Sequence, residues 1–159
     1  MGKTTYCQKL AYDWATKRDK WDPSFPEIEV LLLLKCHEIK SDIWKAIDDQ
    51  ILPKEMDTQA KEYFFKFIRE NQSKVLLVFD GLDEADTSNL KMFSNLIESK
   101  ELSGCYIVLT SRHEAGRVCF QRTELNCTLT LFFLFWKDMN KSKDYRARMK
   151  TSYSSAIKT

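Results

Sequence analysis

The chain has 159 residues, 43% hydrophobic and 13% aromatic, which is enough for one domain with a substantial core. Its formal net charge of +2 is unevenly placed: Lys137 to Thr159 holds seven Lys/Arg against two Asp, leaving about −3 for residues 1–136. The body is therefore weakly acidic, and nucleic acid is not an expected partner. The five cysteines (Cys7, Cys36, Cys105, Cys119, Cys127) show no C-x-x-C spacing, which argues against a zinc site or a thioredoxin-type motif. Three of them fall on apolar faces or strands and read as small core residues. The charged start leaves no room for the apolar region of a signal peptide, so a cytoplasmic setting is expected. The apolar stretch Leu129 to Trp136 is interrupted by Thr130 and falls far short of the ~20 residues that span a bilayer.

The first five residues, Met1-Gly2-Lys3-Thr4-Thr5, match the end of the phosphate-binding loop G-x-x-x-x-G-K-[ST]. Lys3 would reach the β- and γ-phosphates, the Thr4 hydroxyl would join a Mg²⁺ shell, and backbone amides at the next helix start would take the remaining phosphate charge. The first glycine of that loop, its four spacers and the strand before them are absent from this sequence. Cys7, Leu10, Ala11, Trp14 and Ala15 recur at helical spacing, so Thr4 to Arg18 is expected to be an amphipathic helix, with Lys17 and Arg18 in its last turn. Pro23 and Pro26 prevent its continuation. Glu27 to Cys36 then reads as an apolar strand. Ser41 is the expected cap of a short helix whose Ile43, Trp44, Ile47 and Ile51 share a face, ended by Pro53.

Asp57 or Thr58 should cap the next helix, with Ala60, Tyr63, Phe64, Phe67 and Ile68 packing on the sheet, leading directly into the next strand. That strand is the centre of the chain. Val75 to Phe79 runs without polar interruption and stops at Asp80, which predicts a strand buried on both faces and ending in a carboxylate. Ligands in open α/β sheets sit outside the carboxyl ends of the strands, so Asp80 is placed to hold a hydrated Mg²⁺ beside a nucleotide. Gly81 permits a sharp turn, and Asp83 and Glu84 add two carboxylates, one to order the metal's shell and one to accept a proton from water. Leu90, Phe93, Leu96 and Ile97 form one side of a further helix, with Gly104 as its stop signal. Cys105 to Thr110 is a third buried strand, and Thr110-Ser111-Arg112 puts polar and cationic groups on the same sheet edge as Asp80. His37 and His113 have no spaced partner for metal or triad chemistry. Strands alternating with helices indicate a parallel α/β sheet. From Val118 onward the helical period is lost; 118–136 is an apolar segment without an evident partner strand, and 137–159 reads as a disordered, basic, solvated tail.

Taken together, Gly2-Lys3-Thr4-Thr5, the strand Ile28 to Lys35, the run L-L-V-F-D-G-L-D-E-A from Leu76 to Ala85 and the L-T-S-R of Leu109 to Arg112 resemble a NACHT domain, the NTPase module of NOD-like immune receptors within the STAND branch of P-loop ATPases. The resemblance covers residues 1–117. It implies a P-loop NTPase three-layer sandwich with a parallel sheet, incomplete because the first strand and the front of the phosphate loop are missing. It also implies roles. Gly2, Lys3, Thr4 and Thr5 bind nucleotide; Thr4 and Asp80 hold the metal; Asp83 and Glu84 are the catalytic acidic pair, with Glu84 activating water; Arg112 is the sensor arginine that feels the γ-phosphate. The implied cofactors are ATP/ADP and Mg²⁺. The implied function is an ATP/ADP switch with slow hydrolysis in innate-immune signalling, with other receptor protomers or signalling proteins as partners of the full-length parent. No helical or winged-helix region of the family is visible after Arg117, and Met1 stands where the family has the residue before G-K-T, so the sequence reads as a truncated fragment. The competing expectation is a non-catalytic remnant that acts only through protein contacts of its exposed sheet edge.

Overall fold

The computed structural model describes residues 2–16, 26–98 and 100–112. Helix α1 (Lys3–Thr16) is followed by strand β1 (Val30–Lys35), helices α2 (Ile43–Gln50) and α3 (Thr58–Glu70), strand β2 (Val75–Asp80), helix α4 (Leu90–Ile97) and strand β3 (Tyr106–Leu109). The three strands form one parallel sheet in the order β1-β2-β3, with Val30 to Lys35 in register with Val75 to Asp80 and Leu76 to Phe79 in register with Tyr106 to Leu109. The expected parallel α/β architecture is present.

Side chains alternate along each strand, and the alternation divides the core in two. Leu32 and Leu34 of β1, Val75, Leu77 and Phe79 of β2, and Ile107 and Leu109 of β3 pack with Ile43 and Ile47 of α2, Ile68 of α3, and Phe93, Leu96 and Ile97 of α4. Leu76, Val78 and Val108 face the other way, onto Tyr6, Cys7 and Leu10 of α1. The described residues thus make three layers: α1, the sheet, and α2 to α4. Every residue of β2 is buried, as expected for a central strand covered on both faces. Asp80 has the parity of Leu76 and Val78, so its carboxylate belongs to the α1 layer.

Local chemistry fixes the helix ends. The Asp57 carboxylate accepts the Ala60 N–H at 2.9 Å and caps α3. The cap of α2 is Asp42 rather than the expected Ser41, because the Asp42 carboxylate accepts the Lys45 N–H at 2.9 Å. Each such cap stabilises its helix by about 1 kcal/mol. The Phe79 and Phe93 rings meet edge to face with centroids 5.4 Å apart, fixing α4 on β2. Trp44 meets Phe65 at 5.8 Å and carries the Arg69 guanidinium 4.5 Å over its ring, which joins α2 to α3. On the other face the Trp14 indole N–H donates to the Ile28 carbonyl at 3.1 Å, tying α1 to the segment before β1.

Four further expectations shift. Strand β1 begins at Val30, not Glu27, although the Glu29 N–H already bonds the Lys74 carbonyl at 2.9 Å. A single helical turn, Gln72–Lys74, separates α3 from β2. Tyr63 is 64% exposed instead of packed on the sheet, and Phe65 takes the inward place. Helix α4 ends at Ile97 without help from Gly104, whose N–H instead donates to the Gln72 side chain at 2.9 Å. Lys17 and Arg18, the segment 118–136, the tail 137–159 and His113 lie outside the described residues.

Candidate nucleotide site

The site is built where the start of α1 meets the loops that leave β2 and β3. Gly2 precedes α1 at φ 125°, a backbone region that glycine alone enters without strain, and its carbonyl accepts the Tyr6 N–H at 2.9 Å to begin the helix. Lys3, Thr4 and Thr5 form the first turn, whose N–H groups have no acceptor within the helix. Thr4 and Thr5 are exposed, and neither bonds Asp80 or Asp83 through its side chain among the described residues.

After β2 the chain turns at Gly81, with φ 77° and ψ 58°, into the single turn Leu82–Glu84. A Cβ at Gly81 would stand 3.3 Å from the Glu84 carboxyl group, so both the left-handed backbone and the space favour glycine. Thr110, at the end of β3 and fully buried, holds this turn in place. Its hydroxyl accepts the Gly81 N–H at 3.0 Å, and its carbonyl accepts the Leu82 N–H at 2.8 Å. The same hydroxyl lies 3.3 Å from Asp80 Oδ1 and 3.8 Å from Cys7 Sγ.

Asp80 and Asp83 have opposite environments. Asp80 is buried at the strand end, and among the described residues its carboxylate meets neutral partners, the Thr110 hydroxyl and the Cys7 thiol. Asp83 takes the cations. Lys3 Nζ lies 2.9 Å from Oδ1 and 3.0 Å from Oδ2; the Arg112 backbone N–H donates to Oδ1 at 3.0 Å, and Arg112 Nε stands 3.0 Å from Oδ2. Burial of the Asp83 side chain, which is 8% exposed, pushes its pKa up, but the hydrogen bonds from Lys3 and the Arg112 N–H together with the Lys3 charge outweigh that and hold it below the ordinary carboxylate value. One carboxylate therefore joins α1, the turn after β2 and the end of β3. Glu84 points elsewhere: its half-exposed carboxylate faces His37 Nδ1 at 3.7 Å.

Lys3, Asp80, Asp83 and Arg112, separated by up to 109 positions in sequence, are thus gathered at one end of the sheet, with Glu84 on the same turn. Lys3 reaches the acidic turn from the start of α1, and the carboxylate it contacts is that of Asp83. Two contributors had no place in the sequence reading: Thr110 as the support of the turn, and Cys7 beneath Asp80. A threonine ending an apolar strand was the available signal for the first. Cys7, one turn after Lys3, was visible only as a core position. Burial, then the nearby Asp80 charge, push its thiol up to about 12, so it contacts Asp80 as a neutral group.

The donor set suits a hard cation. A buried carboxylate whose hydrogen-bond partners among the described residues are neutral favours a positive charge beside it, and an oxygen-poor protein shell is usual for Mg²⁺, which keeps waters and phosphate oxygens. Among the described residues no cluster of three or more His, Cys, Asp or Glu is arranged to hold a metal by itself. Asp80 would be the protein's anchor for such an ion.

A parallel sheet with helices on both faces, an acid at the end of its central strand and a G-K-T-T helix start beside it define an α/β fold of the P-loop NTPase class. Residues 1–131 match the NACHT domain family, and the chain belongs to that family. It is 31% identical over 127 residues to Protein NLRC5 of Mus musculus, the alignment covering 70% of this chain and 6% of the relative. With Protein NLRC5 of Homo sapiens the identity is 32% over 122 residues, again 70% of this chain and 6% of the relative. With the NACHT, LRR and PYD domains-containing protein 6 of Mus musculus it is 25% over 171 residues, covering 90% of this chain and 19% of that protein. These relatives are NOD-like receptors, and the chain spans less than a fifth of their length.

Proposed function

We propose that this chain is a nucleotide-binding NACHT module of a NOD-like receptor that takes Mg²⁺-bound ATP or ADP and acts as a switch with slow hydrolysis. The observation that carries the reading is the meeting of Lys3 and Arg112 with the acidic turn that follows β2. Bound Mg²⁺ would supply neutralising charge to the β- and γ-phosphate oxygens. Asp80 holds the ion, with Thr4 as the hydroxyl partner. Gly2, Thr5 and the first-turn amides of α1 cradle phosphate, Lys3 draws the phosphate chain in, and Arg112 reads its terminal group. Glu84 accepts the proton of the attacking water after turning from His37, whereas Asp83 is already engaged by two cations. Exchange of ADP for ATP would move Arg112 and so alter contacts with receptor protomers or signalling proteins in the cytoplasm. No described helix is long and apolar enough to cross a membrane.

The competing reading, a non-catalytic module that works through protein contacts, draws on the same pairing, since both cations already have a carboxylate. Equilibrium binding of a fluorescent ATP analogue to the full chain separates the two. The switch reading expects Mg²⁺-dependent binding that is lost in Lys3→Ala and in Asp80→Ala while both variants stay folded. Binding that is absent, or indifferent to Mg²⁺ and to both substitutions, defeats it.

A further inference from the structure

Three side chains around the site, His37, Cys7 and Asp83, differ in how they are engaged. The His37 imidazole lies beside Glu38 and Glu84, but both contacts are at the solvent-facing edge and long, at 3.5 and 3.7 Å. Cys7 is a single buried thiol. Asp83 is different in kind, because both of its oxygens are used, by the two cations that the nucleotide reading assigns to phosphate.

We propose that Asp83 competes with the phosphate chain: its carboxylate pairs with Lys3 and Arg112 and must be displaced from them when a nucleotide enters. This deepens, and rests on, the nucleotide reading of the site. The geometry is that of an anion site already filled by an anion of the chain's own. Two cationic side chains and one backbone N–H converge on the two oxygens at 2.9 to 3.0 Å, on a side chain that is 8% exposed. A phosphate presents the same features, oxygen acceptors and negative charge, to the same donors. Lys3 and Arg112 are 21% and 77% exposed, so both can swing from Asp83 toward a ligand arriving from solvent, whereas Asp83 is held by the Arg112 N–H and the short turn on which it sits.

A consequence follows for affinity. Each charge-assisted bond surrendered by Asp83 offsets part of the new bond to phosphate, so the carboxylate raises the dissociation constant while it stabilises the fold. Asp83→Asn keeps an oxygen to accept the Arg112 N–H and removes the charge. It should therefore lower the thermal midpoint and tighten binding together, a pairing that a purely structural residue would not give. Losing roughly one charge-assisted interaction's worth of competition corresponds to about tenfold tighter binding. Glu84→Gln supplies the control, since it removes an equal charge from the same turn but from a carboxylate that faces His37.

The experiment is titration calorimetry of the full chain and of Asp83→Asn and Glu84→Gln with Mg²⁺-ATP and, separately, with Mg²⁺ and inorganic tripolyphosphate, alongside thermal unfolding. Support is a gain of about tenfold in Asp83→Asn for both ligands, larger than any gain in Glu84→Gln, with a lowered midpoint. Binding by Asp83→Asn where the unsubstituted chain binds too weakly to measure is the same result in stronger form. Unchanged or weaker binding in a folded Asp83→Asn, while the unsubstituted chain binds, overturns the competition and leaves the nucleotide reading standing. A gain for ATP without one for tripolyphosphate overturns it too, because the effect then lies with the base. If Asp83→Asn is unfolded, Asp83→Ser takes its place in the same measurements. No binding by any of these proteins overturns both readings.

Discussion

Replacing Thr110 by valine isolates the support of the acidic turn, because the two side chains have nearly the same shape and differ by one hydroxyl. In the folded chain that hydroxyl accepts the Gly81 N–H at 3.0 Å and lies 3.3 Å from Asp80 Oδ1. The site is fully buried, so no solvent replaces the lost partner. The missing hydrogen bond costs about 1 kcal/mol and the stranded Gly81 N–H about 1–3 more, which places Thr110→Val about 2–4 kcal/mol less stable. For a chain of this size that is roughly 4–16 °C in the thermal midpoint. Urea unfolding followed by tryptophan fluorescence reads the first quantity and differential scanning calorimetry the second. Thr110→Ser keeps the hydroxyl, loses one methyl, and should cost only about 1 kcal/mol. A valine variant within about 0.5 kcal/mol of the parent, or a serine variant as damaged as valine, would refute the role given to the hydroxyl.

Three other outcomes follow from the same geometry. Asp83 has a folded pKa below its ordinary 3.8, so its contribution is complete above that value and is lost as pH falls through the lower folded value. Urea unfolding of the parent and of Asp83→Asn between pH 2 and about 6 should therefore show a stability gap that is constant above about pH 5 and closes on acidification; a gap that widens instead contradicts the sign. Gly81→Ala must accept φ 77° and a Cβ 3.3 Å from the Glu84 carboxyl group, and should lose about 1–2 kcal/mol in urea unfolding, whereas an unchanged midpoint means the turn relaxes freely. Burial pushes the Cys7 and Cys105 thiols up to about 12 and the Cys36 thiol higher still, so at pH 8 about one Cys7 in ten thousand is thiolate. In a chain with Cys119 and Cys127 replaced by serine, a thiol reagent should label none of the three until denaturant is added, and rapid native labelling would show that the core opens.

How much of this was readable from the residues alone depended on distance along the chain. Strand β2 was plain because five apolar residues in a row followed by Asp80 leave little choice of structure, and the inward face of α4 was marked by Leu90, Phe93, Leu96 and Ile97, although its end at Ile97 was not. The α2 cap was displaced by one residue because Ser41 and Asp42 are both good caps; which one turns its oxygen to the Lys45 N–H depends on how the chain leaves β1. Tyr63 satisfied the helical spacing as well as Phe65 satisfied the packing, since a stripe of aromatics has two edges and only tertiary contact with Trp44 chooses between them. At the site, the ingredients Lys3, Asp80, Asp83 and Arg112 were legible, but the pairing was not. That Lys3 reaches Asp83, and that Thr110 supports Gly81, are contacts between residues 80 and 29 positions apart, settled by the register of three strands rather than by any local pattern.

The alternation along β2 turns its length into a count that cannot be off by one. Adding or deleting a single residue between Val75 and Asp80 would exchange the two sides of the strand, pushing the carboxylate in among the aromatic and aliphatic side chains beneath α4 and carrying Phe79 round to the lysine-bearing helix. Neither location tolerates its new occupant: one offers a charge nothing to bond, the other sets a ring against the Thr110 hydroxyl and the Cys7 thiol. Insertions of two would restore the sidedness while moving the acid about 7 Å along the strand. Natural variation in this stretch is therefore expected as substitution, with changes of length confined to the loops on either side.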